Sequence, residues 1–149
     1  MAASAILMIG FSTFIMFSRK QLNDTNTRVH LGYDQVLIDN YIRTKLTTTV
    51  SDSMRIYASK SDENAGSTSS SGIILRAVDS DSTVHYLETS GSLLHWMVDS
   101  TLHVPVDCDV ANLLFEERTG NFGKILDVSV DLVAEGDTLS CEWTITLRN

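Results

Sequence analysis

The residues best suited to metal chemistry are the histidines and the aspartates near them in the sequence. Imidazole and carboxylate groups that converge from neighbouring strands are common zinc ligands, and Asp107 and Asp109 follow the last histidine closely. The spacing matches no known ligand motif, and His85 and His95 lie in segments of alternating polarity, where a histidine paired with a sheet neighbour is expected. We therefore predict no metal site and no cofactor for the four histidines, His30, His85, His95 and His103.

Nucleophilic catalysis would need a serine or cysteine beside a general base. The sequence contains no G-x-S-x-G elbow, no glycine-rich phosphate loop and no C-x-x-C-H haem attachment motif. We therefore predict that the protein is not an enzyme and has no catalytic residues.

The two cysteines, Cys108 and Cys141, both fall in predicted strands. In an oxidising compartment they are expected to form one disulfide. That bond would close a separation of 33 residues (141 − 108) and stabilise the fold by roughly 3–4 kcal/mol. The alternative is a pair of buried free thiols, because cysteine also packs as a small apolar residue.

Charge excludes one class of partner. The chain has a formal net charge of −8 and a pI near 4.7. Neutralising phosphates requires clustered Lys and Arg, whereas the 11 basic residues are scattered. We predict no nucleic-acid partner.

The element that dominates the chain is an apolar run over residues 1–17, MAASAILMIGFSTFIMF. Seventeen residues is the lower limit for crossing roughly 30 Å of hydrocarbon. A secretory signal fits less well, because no basic segment precedes the run and SRKQLNDT follows it. Arg19 and Lys20 would hold the following domain in the cytoplasm by the positive-inside rule, and a removed basic leader would reverse this orientation.

Residues 18–58 continue as an amphipathic helix, with apolar residues spaced by three and four. One rod over residues 1–57 is therefore expected. The stripe predicted to pack on the rest of the chain consists of Val29, Tyr33, Leu37, Tyr41, Leu46 and Val50.

Residues 59–72 form a polar, Ser-rich stretch that is typical of a linker. Residues 73–149 alternate with period two and are punctuated by turns, which predicts an antiparallel β-domain. Its inward residues are expected to include Leu126, Val128, Val130, Trp143 and Ile145. The predicted fold class is α+β, with a long helix packed on one antiparallel sheet and its apolar half protruding.

Three segments, together with the apolar helical start, carry a resemblance to a known family. They are IILRAVDSDSTVHYLETSGSLLHWMVD, VANLLFEERTG and KILDVSVDLVAEGDTLSCEWTITLRN. The strand pair, the Gly-Ser-Leu-Leu strand, the apolar-aromatic strand and the final hairpin resemble the type IV pilin and pseudopilin superfamily, and the resemblance is to a minor pilin. It covers essentially the whole chain.

This resemblance implies a structural subunit of an extracellular filament, whose partners are copies of itself or homologous pilins. It implies insertion in the inner membrane before assembly. Met1 is an acceptable first residue of a mature pilin, but Ala5 stands where the family usually has a glutamate. The residues implied for the filament core or membrane are Ala2, Ala5, Ile6, Leu7, Ile9, Gly10, Phe11, Phe14, Ile15 and Phe17.

Two other functions stay open. The missing glutamate at Ala5 favours a tip or minor pseudopilin of a secretion or DNA-uptake system. A single-pass, membrane-anchored periplasmic domain that binds a partner through its sheet would instead tolerate a flexible joint over the polar interval 18–27.

Overall fold

The structure is a computed structural model that describes residues 2–103, 106–121 and 123–147, with side chains from Phe11 onward.

The first element is one long helix. Helix α1 runs over Ala2–Tyr41 without a break at the polar interval, and a π-helical turn, Ile42–Leu46, extends it. The predicted rod is therefore of the right type, but it ends eleven residues early (57 − 46).

Threonines explain the early end of this helix. Thr44 and Thr47 donate side-chain hydrogen bonds to the main-chain carbonyls four residues earlier, and Thr48 donates to the carbonyl three residues earlier. Such bonds compete with helical pairing, and the β-branched side chain lowers helix propensity further. The chain then leaves the helical path through a 3₁₀ turn, Ser51–Ser53.

In the part of the chain that the structure describes, nine strands and one short helix follow. They form two antiparallel sheets, of order β1-β3-β4-β5-β6 and β2-β7-β8-β9. Their bounds are β1 Arg55–Tyr57, α2 Lys60–Ala65, β2 Ser71–Gly72, β3 Ile74–Val78, β4 Val84–Ser90, β5 Leu93–Val98, β6 Thr101–His103, β7 Asp109–Gly120, β8 Gly123–Ala134 and β9 Asp137–Thr146. The prediction of a single sheet is wrong, because alternation shows that one face of a strand is buried but not how the strands are divided between sheets.

One hydrophobic core joins the helix to both sheets. Trp96 of β5 and Phe115 of β7 are fully buried in it, and the Tyr41 ring lies 5.0 Å from the Trp96 ring, centroid to centroid. Helix α1 supplies Leu31 and Ile38 to the same core. The structure is thus α+β, with the second half of the helix held by the strands.

The segment predicted as a linker contains two ordered elements. The Ser59 side chain accepts a hydrogen bond from the Asp62 amide and so caps α2, which ends at Gly66 with a left-handed φ of 70°. Strand β2 then pairs with β7. Gly72 is required there, because a Cβ at this position would lie 2.2 Å from the main-chain oxygen of Tyr57.

Candidate interaction surface

The protruding part of helix α1 exposes large apolar side chains. Phe11, Phe14, Met16 and Phe17 are each 59–73% exposed, and Ile15 is 38% exposed. From Gln21 to Asn26 every side chain is exposed. Of the residues predicted to form a filament core or membrane helix, Ala2, Ala5, Ile6, Leu7, Ile9 and Gly10 lie in α1, but their side chains are outside the described part of the structure.

The face of α1 that packs on the sheets differs from the predicted one. Its buried residues recur at helical spacing and are Thr27, Leu31, Asp34, Ile38, Ile42 and Leu46. The prediction is wrong for Val29 and Tyr33, which are 64% and 61% exposed, and for Val50, which lies beyond the helix and is also exposed. Leu37 and Tyr41 are half-buried at the border of the packed face.

The predicted sheet residues do lie toward the core. Leu126, Val128, Val130 and Ile145 are buried. Trp143 is half-buried, and its indole N–H donates to Asp39 Oδ1 of α1 at 2.8 Å. The Arg43 guanidinium beside Asp39 lowers the pKa of that carboxyl, so the acceptor stays ionised at neutral pH.

The turn between β8 and β9 makes polar contacts with α1 at Thr27 and Arg28. Thr27 Oγ1 lies 2.8 Å from Glu135 Oε2, and Arg28 Nε lies 3.9 Å from Asp137 Oδ2. Glu135 adopts a positive φ of 49° in this turn. The part of α1 before Thr27, which we call the arm, therefore extends past the β-domain.

A buried carboxylate fixes the middle of the helix. Asp34 Oδ2 accepts hydrogen bonds from the amides of Asp107 at 3.1 Å and Cys108 at 2.8 Å, and Asp34 is only 2% exposed. A carboxylate that satisfies two amides at the start of β7 holds that strand against the helix. Sequence reasoning missed this role, because a lone aspartate in a polar stretch gives no signal of burial.

The two cysteines are buried free thiols, so the predicted disulfide is wrong. Cys141 pairs with Val130 of β8, and Cys108 precedes β7 on the other side of β8. Strands are about 4.8 Å apart, so two positions separated by a whole strand exceed the roughly 7 Å Cα limit of a disulfide. Burial, with the nearby Asp34 carboxylate, raises the pKa of the Cys108 thiol to about 12. This thiol therefore stays protonated at neutral pH.

A polar cluster holds α2 on the outer face of the first sheet. Lys60 Nζ lies 2.8 Å from Glu63 Oε2, 3.1 Å from Glu88 Oε2 and 4.8 Å from the centre of the Tyr86 ring. Tyr86 donates its hydroxyl to Glu63 at 2.8 Å. The groove beside this cluster has a volume of about 560 Å³ and includes exposed Arg76. Because Lys60 is already paired with carboxylates, the cluster serves to attach α2.

No three histidine, cysteine or carboxylate side chains approach closely enough to hold a metal ion in residues 2–103, 106–121 and 123–147. His85 is buried, His95 and His103 are half-buried and His30 is exposed. None of the helices in the described part of the chain combines the length and apolarity that crossing a membrane requires. The feature that stands out is the exposed apolar face of α1.

No protein-family model matches the chain, and neither does any curated protein or solved structure.

Proposed function

We propose that this chain is a structural subunit of a type IV pilus-like extracellular filament, assembled through its N-terminal helix. In this proposal the apolar arms of many copies pack side by side, and the β-domains lie outside. The partners are copies of the same chain or homologous pilins. Before assembly, the subunit is inserted in the inner membrane.

The observation that supports this proposal is the exposure of the arm. Phe11, Phe14, Met16 and Phe17 lie on several sides of the helix and are all more than half exposed. Isolated soluble domains rarely leave a contiguous apolar patch of this kind uncovered. Several neighbours around one helix would cover all of its sides, and a filament core provides such neighbours.

Helix continuity favours a filament over a tethered binding domain. A tether benefits from a flexible joint between the arm and the domain, and the polar interval 18–27 is where the sequence would place it. Helix α1 passes through this interval without a break. A rigid arm transmits the position of one subunit to the next, which a regular polymer needs and a tether does not.

Electron microscopy of surface material from cells that produce the full chain tests the proposal. We expect regular filaments from the native chain and none from Phe11→Asp, because a carboxylate in an apolar core carries a large desolvation cost. Asn26→Asp adds the same charge at an exposed polar position of the arm and should leave the filaments intact.

Three results would be decisive. Normal filaments from Phe11→Asp would overturn assembly through the arm. Particles of the native chain that occur only singly, in detergent, would favour the tethered domain. Filaments that carry this chain only at one end would make it a tip subunit, and Ala5→Glu would then be expected to move it into the shaft.

A further inference from the structure

One outermost strand differs from the other three. In the described part of the chain, β1, β2 and β6 each have only two or three residues, whereas β9 has ten, Asp137–Thr146. Proteins usually protect an exposed sheet edge by keeping it short, or with a lysine, a proline or a β-bulge. Strand β9 contains no lysine or proline, and its register with β8 is continuous. Its edge is therefore open to another strand.

The main-chain groups that face outward from β9 belong to its even-numbered residues. Leu147 donates its amide to the Lys124 carbonyl in the same register, and bonded and non-bonded residue pairs alternate in an antiparallel ladder. The odd-numbered residues of β9 therefore bond to β8, and the even-numbered ones point their N–H and C=O groups away from it. Among the described residues, no main-chain group pairs with these outward groups. The even-numbered residues are all exposed and are Thr138, Ser140, Glu142, Thr144 and Thr146.

The outer face of the second sheet, beside this edge, is acidic. Arg118 pairs with Asp127 there, whereas Glu116, Asp131 and Glu142 have no basic partner among the described residues. A shallow groove of about 330 Å³ on this face is lined by Glu116 and Glu142. Negative charge that the chain itself does not neutralise favours a partner with basic side chains.

The inner side of the same edge borders α1. A groove of about 450 Å³ lies between α1 and the start of β9, and Leu31, Gly32 and Leu139 supply its apolar part. Gly32 keeps the groove open, because a Cβ at this position would meet no atom within 4 Å. A strand beside β9 would place alternate side chains on this inner side, and apolar ones would cover half-buried Leu139.

The charges of the chain argue against a second copy as the partner. Basic residues on one face of a strand must be two positions apart, and the only lysines or arginines with this spacing are Arg43 and Lys45. Both lie in the π-helical turn Ile42–Leu46. Pairing of β9 with the β9 of another copy would add a second Glu142 to an acidic face and no basic side chain, which is unfavourable.

We propose that β9 binds an extended segment of a different protein, in which basic and apolar residues alternate, as a fifth strand of the second sheet. The main chain of this segment bonds to the even-numbered residues of β9. Its basic side chains lie beside Glu142, and its apolar side chains enter the groove beside Gly32. This binding site belongs to the β-domain and goes beyond the proposed function, which concerns the arm.

Hydrogen exchange of the full-length chain in detergent, followed by NMR, tests this proposal. The probe is the acetylated and amidated peptide TKVKVKVKT, and the matched probe TEVEVEVET keeps the alternation but reverses the charge. In the free chain, we expect the even-numbered amides of β9 to exchange fast and the odd-numbered ones slowly. The lysine peptide should slow the even-numbered amides about tenfold or more, and the glutamate peptide should leave them unchanged.

Two variants with matched controls separate the main-chain bonds from the charge. Ser140→Pro removes one outward amide and is tolerated at a sheet edge, so the chain should fold but bind the lysine peptide about tenfold more weakly. Ser140→Ala keeps the amide and should bind as the native chain does. Glu142→Lys should also weaken binding about tenfold. Asp24→Lys, on the exposed arm, changes the net charge equally and should not.

The possible results have distinct meanings. A lysine peptide that does not bind, or that binds without slowing the even-numbered amides of β9, would overturn the proposal. Equal binding of both peptides would overturn the basic character of the partner. Slow exchange of the even-numbered amides that depends on protein concentration, without any peptide, would identify a second copy as the partner instead.

This experiment does not depend on filament formation. Peptide binding at β9 in a chain that never forms filaments would support the edge site and leave the proposed function without support. Filaments from a chain that does not bind the peptide would do the reverse.

Discussion

The indole N–H of Trp96 donates to His85 Nδ1 at 3.3 Å, and both side chains are buried in the core. Because Nδ1 accepts this bond, the neutral ring carries its proton on Nε2. Nε2 lies 3.9 Å from Asp79 Oδ2 and has no hydrogen-bond partner among the described residues. The core therefore holds His85 in one neutral form.

Stability should fall in mildly acidic solution because of His85. Burial lowers the pKa of this histidine, with Lys45 acting in the same direction and Asp79, Asp81 and Asp99 opposing it. The unfolded chain, with a histidine pKa near 6.5, then binds a proton more readily than the folded chain. The free energy of unfolding is therefore highest, as far as His85 is concerned, above about pH 6.5, where the histidine is neutral in both states. It falls as the pH drops toward the pKa of the folded state, by at most about 1.4 kcal/mol per pH unit.

Urea unfolding from about pH 7.5 down to about pH 5 measures this loss. His85→Gln cannot titrate and should show a flatter pH profile, whereas His30→Gln, at an exposed position, should follow the native profile. A native profile that is flat between these pH values would contradict the role of His85.

Asp34→Ala should destabilise the fold by about 3 kcal/mol. The change leaves the amides of Asp107 and Cys108 without their acceptor, and an unsatisfied buried donor costs about 1–3 kcal/mol. Asp34→Asn keeps one acceptor oxygen and should cost less. Chemical denaturation measures both, and exposed Asp24→Ala should change the free energy of unfolding by less than about 0.5 kcal/mol.

Two glycines should respond in opposite directions to alanine. Gly72→Ala pushes a methyl group into the main chain at Tyr57 and should cost about 2–3 kcal/mol. Gly32→Ala fills empty space in a helix and should raise the free energy of unfolding by about 1 kcal/mol. Thermal and urea unfolding of both variants distinguishes the two effects, and a destabilising Gly32→Ala would show a contact of Gly32 within the monomer.

The cysteines should behave as protected thiols. We expect Cys108 and Cys141 to react with a thiol reagent only after unfolding, because both are buried and burial raises the thiol pKa of each. Labelling in denaturant without a reductant should then modify two groups per chain. The absence of labelling in denaturant, restored by a reductant, would reveal a disulfide instead.

Much of the β-domain follows from alternation in the sequence. Strands β3 to β9 all lie within residues 73–149, where the sequence predicts an antiparallel β-domain, and β8 presents Leu126, Val128 and Val130 to the core. The division into two sheets did not follow, because strands of either sheet have the same alternating pattern. The pairing of Cys108 with Cys141 failed for a related reason, since the sequence does not show that β8 lies between them.

The packed face of α1 was the principal error. This helix has two apolar stripes on opposite sides, and periodicity cannot tell which stripe meets the chain's own domain. The buried stripe also contains Thr27 and Asp34, whose polarity made it look solvent-facing. The stripe chosen from the sequence, with Val29 and Tyr33, is the exposed one.

The attachment of Thr27 to the β8–β9 turn sets the rotational phase of the arm. Because α1 is unbroken between this contact and Phe11, one residue inserted near Gln21 would rotate the tip by about 100° and advance it by about 1.5 Å. The β-domain would still fold, but its orientation around the helix axis, relative to the arm, would differ from the native one by this angle. In the proposed filament, the length of the helix between residues 11 and 27 would therefore fix the angle between the arm and the β-domain, and a single-residue insertion or deletion there should prevent regular assembly.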